Sequence, residues 1–108
     1  MSCNGNCCGC GNLFIPTNID LGDGIYTITL APDMLIPKEC CDYCILLRIP
    51  IPTDTTCNRV IIDTGTEKYD VLTCNGNYWR PCMLKCRSIL KLKYYGDPAH
   101  FVIQQVKR

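Results

Sequence analysis

The sequence predicts an all-β fold, a single small β-sandwich, jelly roll or barrel of about seven or eight short strands behind an irregular cysteine-rich arm. Three observations carry that expectation. "IYTITL" at 25–30 and "LKCRSILKLKYY" at 84–95 alternate with period two, the spacing at which a strand presents one face to a core. Turn-forming residues recur at short intervals between the apolar runs. No stretch shows the 3.6-residue periodicity of an amphipathic helix.

The elements follow in order. "MSCNGNCCGCGN" at 1–12 offers neither a helix face nor a strand face, so it forms the arm, and residues 13–108 form the β-domain. "NLFIPTNIDLGDG" reads as a linker with an apolar anchor at Leu13 to Ile15, closed by a Gly-Asp-Gly turn signal. In "IYTITL", Tyr26, Ile28 and Leu30 share one face, and Thr27 and Thr29 the other. "APDMLIPKECC", with prolines at 32 and 37, holds at most a turn of helix.

"DYCILLRIPIP" is a continuous β-favouring run ended by Pro50 and Pro52, as expected of a buried strand running out to an edge. "RVIIDTGTEKYDVLT" predicts a hairpin turning at Asp63-Thr64-Gly65-Thr66, and Asn75-Gly76 marks the next turn. The stretch 84–95 then reads as one long strand. Leu84, Cys86, Ser88, Leu90, Leu92 and Tyr94 fall on one face, and Lys85, Arg87, Ile89, Lys91, Lys93 and Tyr95 on the other. Gly96-Asp97-Pro98 turns the chain into a last strand, "HFVIQQV".

A chain of 108 residues makes one domain with a modest core. Its net charge of +1 hides a polarity. Residues 1–37 carry Asp20, Asp23 and Asp33 and no base, whereas 80–108 carry seven bases against Asp97 alone. Such polarity suits head-to-tail association or two solvated faces. The eleven cysteines give the density of a disulfide or metal scaffold. Neither a basic n-region nor an apolar h-region follows Met1, and no run reaches the ~20 apolar residues that span a bilayer. The expectation is a chain made in the host cytoplasm without a signal peptide. It either stays reduced and binds metal or oxidises later on a particle surface.

The cysteines admit two chemistries. Cys7 and Cys10 lie in a C-x-x-C-G knuckle pattern, and Cys41 and Cys44 form a second C-x-x-C, so these four could close a tetrahedral zinc site. Surplus cysteines make chance C-x-x-C pairs common, and Cys82 and Cys86 compete as partners, so no metal ligand is assigned. No cofactor is expected, structural zinc being the alternative. Disulfides are the rival. An odd number of cysteines leaves one over or bonds it to a neighbour, and Cys3, Cys7, Cys8 and Cys10 on an arm suit inter-subunit bonds.

Enzymatic chemistry is not expected. His100, the one histidine, sits in a strand beside Phe101 with no nucleophile signature around it, and the acids are scattered through turns. No small-molecule substrate is implied. Lys85, Arg87, Lys91 and Lys93 form a candidate cationic strand face near Trp79 and Arg80, as on an oligonucleotide-binding barrel. Lysines on a strand more often guard a solvated edge against aggregation, so nucleic acid is not the expected partner.

The C-terminal half, "VIIDTGTEKYDVL" followed by "CNGNYWRPCMLKCRSILKLKYYGDPAHFVIQ", resembles small virion proteins of phages infecting anaerobic gut bacteria. The short hairpin, the "NGN" turn, the basic strand and the closing Tyr-Gly-Asp-Pro-Ala-His-Phe carry the likeness. It implies a capsid-decorating or accessory structural component. The arm alone is similar to endospore appendage subunits, whose connectors form disulfides to their neighbours. Both resemblances imply assembly with itself or with other particle proteins, and neither supplies catalytic residues. The expected function is therefore a structural, self-associating protein of a virion or similar extracellular assembly. The alternatives are a zinc-stabilised β-domain that binds a partner such as nucleic acid, and a disulfide-linked spore appendage or coat subunit.

Overall fold

A computed structural model describes residues 13–32, 34–35, 37–38, 40–52, 57–81, 84–96 and 98–107. Eight strands follow one another along the chain: β1 (Leu13–Phe14), β2 (Asn18–Gly22), β3 (Ile25–Thr29), β4 (Asp42–Leu46), β5 (Arg59–Asp63), β6 (Lys68–Leu72), β7 (Ile89–Gly96) and β8 (Ala99–Lys107). They form one sheet in the order β1-β4-β7-β8-β6-β5-β3-β2. The fold is all-β, and among the described residues no helix is long and apolar enough to cross a membrane.

Three hairpins supply the local part of this sheet. β2 and β3 join through Asp23 and Gly24, whose φ angles of 54° and 74° are those a two-residue turn needs to match strand twist. β5 and β6 join through a turn in which Thr64 N–H donates to Glu67 C=O (2.9 Å) and Gly65 N–H donates to Asp63 Oδ1 (2.9 Å). Gly65 has φ 89°, a conformation that favours glycine, and a Cβ there would stand 3.2 Å from Pro32, a tight contact. β7 and β8 pair antiparallel from Gly96↔Ala99 outward.

Three further pairings are parallel and non-local: β1 with β4, β3 with β5, and β6 with β8. The last has a topological result. β8 alone links β1-β4-β7 to β6-β5-β3-β2. The edge strands β1 and β2 are consecutive in sequence, separated only by Ile15, Pro16 and Thr17. Four Cα steps reach at most ~15 Å. Eight strands laid flat would span roughly 34 Å at the usual strand spacing. The sheet must therefore curl until its edges approach, and the core lies inside the curl. A radius of gyration of 13.0 Å agrees.

Alternation decides which side chains enter that core. Ile19, Tyr26, Ile28, Val60, Ile62, Tyr69, Val71, Ile45, Leu90, Leu92 and Phe101 are buried on the inner face, and Leu30, Leu35, Leu47 and Leu84 fill in from the connections. Phe101 is at the centre of an aromatic cluster. Its ring meets Tyr94 at 5.3 Å, Tyr69 at 5.6 Å and Tyr43 at 6.2 Å, all near edge-to-face.

Burial pushes the Tyr69 hydroxyl up to about 12, with Glu67 and Tyr94 adding to the shift. The folded value lies above the unfolded one, so neutral Tyr69 stabilises the fold below pH 10.0 and that contribution is lost as pH rises towards about 12. Stability is expected to fall across this alkaline window, and less so in Tyr69→Phe. Denaturation midpoints followed with tyrosinate absorbance check it. Equal slopes for the two proteins would refute the assignment.

Three expectations need correction. The stretch read as a linker contains β2, in which Ile19 is buried and Asn18 and Asp20 are exposed. The long strand begins at Ile89 rather than Leu84, because Cys86 and Arg87 form a turn in which Arg87 takes φ 72°. Leu84, Ser88, Leu90 and Leu92 are buried as the alternation suggests, whereas Cys86 is exposed. The run "DYCILLRIPIP" likewise yields only the five residues of β4 before the chain turns irregular.

Candidate cysteine centre and cationic face

The connection entering β4 concentrates the cysteines. Cys40 N–H donates to Tyr94 C=O (2.8 Å), Tyr94 N–H donates to Cys41 C=O (3.0 Å), and Cys41 N–H donates to Lys38 C=O (3.1 Å). These bonds continue the β4–β7 ladder and hold Cys40 at φ 60°, a conformation that few non-glycine residues adopt. Lys38 N–H also donates to the Tyr43 hydroxyl (2.8 Å). Burial raises the pKa of that hydroxyl, and the bond from Lys38 partly offsets the rise. The backbone around Cys40 and Cys41 is therefore fixed by β7.

Sulfur chemistry divides the described cysteines. Cys40, Cys41, Cys44 and Cys57 are disulfide-bonded, while Cys74 and Cys86 are free thiols on exposed turns. Cys40 and Cys44 are buried. Cys74 lies in the "CNGN" turn, where Thr73 N–H donates to Asn77 C=O (2.7 Å) and Gly76 N–H donates to Thr73 C=O (2.9 Å). Of the proposed zinc ligands, Cys41 and Cys44 are thus in disulfides, which present no thiolate to a metal. Cys7 and Cys10 lie outside the described residues, as do Cys3 and Cys8 of the proposed inter-subunit arm. Among the described residues no group of three or more His, Cys, Asp or Glu gathers as a metal site.

The cationic face is shorter than the sequence suggested. Lys91 and Lys93 lie on β7, opposite Cys44 and Asp42 on β4 and opposite Gln105 and Val102 on β8. Lys85 and Arg87 belong to the preceding turn, so four bases do not share one strand face. Lys93 Nζ stands 4.0 Å from Asp42 Oδ1, an ion pair too long for a hydrogen bond, and that oxygen is buried without a hydrogen-bond partner. One of the two strand lysines is therefore already committed to a carboxylate. His100 is half-buried, with its ring stacked on Tyr95 at 5.6 Å and Nδ1 beside the Pro98 carbonyl.

One surface cluster escaped sequence reasoning. The Arg59 guanidinium lies 4.5 Å from the Tyr78 ring centroid and 3.6 Å from Asp70 Oδ1. Tyr78 reaches it because an antiparallel bridge to Leu72 and a Trp79 N–H to Val71 C=O bond (2.9 Å) fold the chain back along β6. Exposed contacts of this kind contribute about 0.5–1 kcal/mol each. The cluster fastens the 73–79 turn to the sheet. Nothing in the local sequence signals it, since its members come from three separate segments.

Comparison with protein-family models, with curated proteins and with solved structures finds no match for this chain.

Proposed function

We propose that this protein is a non-catalytic structural component that associates with copies of itself or with other proteins of a virion or similar extracellular particle, its cysteine-rich arm reaching its neighbours. The observation that carries this reading is the state of the sulfur. Cys40, Cys41, Cys44 and Cys57 are oxidised, whereas Cys74 and Cys86 stand as free thiols on exposed turns. Disulfides on this scale belong to proteins that work in oxidising surroundings. Exposed thiols on an otherwise oxidised domain can bond outside their own chain, and eleven cysteines cannot all pair within one. The likeness of the C-terminal half to small phage virion proteins points the same way.

The arm is tested by its removal. Residues 1–10 contain no apolar side chain other than Met1 and the cysteines, so they have little to bury in their own domain. Deleting them is expected to leave the β-domain folded by circular dichroism while weakening assembly. Non-reducing electrophoresis of the oxidised full chain is expected to show multimers that collapse with reductant. A truncated chain that unfolds, with every cysteine of the full chain paired internally, would overturn the reading. So would a turnover activity abolished by His100→Ala.

A further inference from the structure

The bases that leave the β7 face gather again at its N-terminal end. Leu47 N–H donates to Ser88 C=O (2.9 Å) while Arg87 N–H donates to Leu47 C=O, so Arg87 and Ser88 together oppose one residue, a β-bulge. Ser88 N–H donates to Lys85 C=O (3.2 Å) and closes the turn Lys85-Cys86-Arg87-Ser88 that leads into it. A bulge of this kind favours glycine at its left-handed position, and here Arg87 takes φ 72° instead. Arg48 follows the carbonyl that Arg87 bonds, which sets their Cα atoms roughly 5–6 Å apart, as across a ladder. Lys107 pairs with Ile89, one strand over and two residues along from Arg87, a backbone separation of roughly 8 Å. Arg48, Lys85, Arg87 and Lys107 are all exposed. Among the described residues the ion pairs are Arg59–Asp70 and Lys93–Asp42, so none of these four bases meets a carboxylate there.

We propose that this corner binds a phosphoryl anion between the Arg48 and Arg87 guanidinium groups, with Lys85 and Lys107 at its flanks. Like charges crowded without a counter-charge repel one another, and a multivalent anion turns that repulsion into attraction. Each guanidinium fork takes two oxygens at a time. A phosphoryl group has enough oxygens for both arginines, whereas a carboxylate has enough for one. The backbone of Arg87 supports the same reading, since glycine would relieve the left-handed conformation but remove the charge. Free oligophosphates and nucleic-acid backbones both present this group. The site uses neither the arm nor any disulfide, so it stands independently of the sulfur-linked association proposed above.

The test titrates the oxidised full chain with tripolyphosphate at low ionic strength, by calorimetry and by the rate at which iodoacetamide alkylates its thiols. Cys86 lies between Lys85 and Arg87, so bound anion should slow its alkylation, while Cys74 in a separate turn should react as before. Arg87→Gly should weaken binding at least ~10-fold yet leave the denaturation midpoint unchanged or higher, a combination that a purely structural arginine does not give. Arg48→Gln should weaken it similarly. Lys68→Gln removes an exposed base at the other end of the sheet and should leave affinity unchanged. A mixed-sequence oligonucleotide that binds more tightly than tripolyphosphate assigns the group to a nucleic-acid backbone, and the reverse order assigns it to a free oligophosphate; both support the site. Binding of neither overturns the inference. So does unchanged affinity in Arg87→Gly, an equal loss in Lys68→Gln, or polyglutamate that binds as tightly as tripolyphosphate.

Discussion

Phe101→Ala is expected to destabilise the protein by about 3–5 kcal/mol, the range for emptying a large aromatic site in a close-packed core. Phe101 is fully buried, and its ring touches Tyr43, Tyr69 and Tyr94, which come from β4, β6 and β7. Those three rings are anchored on separate strands, which limits how far they can collapse into the space. Edge-to-face ring contacts add about 0.5–1.5 kcal/mol each beyond the area they bury, so the loss should lie towards the upper end of that range. Phe101→Leu keeps most of the volume and should lose clearly less. Urea denaturation followed by near-ultraviolet dichroism measures both. A loss below 1 kcal/mol for the alanine variant would mean that the cluster is not the centre of the core.

Reduction is expected to be comparably damaging. A native disulfide removed from a small domain typically costs about 2–5 kcal/mol. Cys44 is the sharpest case because it is buried in β4 between Lys91 of β7 and Leu13 of β1, in a bonded state. Cys44→Ser should lower the denaturation midpoint, because it removes a disulfide and buries a hydroxyl in the core. Cys74→Ser and Cys86→Ser change exposed free thiols and should leave the midpoint unmoved. Reductant should bring the wild-type protein down towards the Cys44→Ser midpoint or below it. Equal midpoints with and without reductant would show that these bonds contribute nothing to the fold.

Local signals in the sequence account for the hairpins. Alternation at 25–29 and 89–95, the Asp63–Thr66 turn and the Asn75-Gly76 turn all lie where residue chemistry points. β2 was equally legible, since Asn18-Ile19-Asp20-Leu21 alternates, but the apolar anchor before it disguised a strand as a linker. The early start assigned to β7 failed for another reason. Period two persists through 84–88 in the sequence, and only the left-handed backbone at Arg87 breaks it. A charged residue gives no warning of that conformation.

The parallel pairings were beyond reach because they depend on partners far apart in the chain, such as Leu13 with Cys44 and Ile25 with Arg59. The same limit applied to the candidate sites. Composition showed that cysteine would dominate, while spacing alone could not tell a C-x-x-C that binds metal from one that oxidises. The four-base stripe shrank to two lysines once the strand start moved. Arg59, Tyr78 and Asp70 meet through tertiary structure alone.

The position of β8 governs the order of events at the ribosome. β8, the last of the described strands in chain order, lies in the interior of the sheet between β7 and β6. Until residues 99–107 emerge, a nascent chain can form the β2–β3 and β5–β6 hairpins, but β6 and β7 lack the neighbour they share. Final closure thus waits for β8, and a chain truncated before Ala99 would expose two sticky flanks in place of one finished domain.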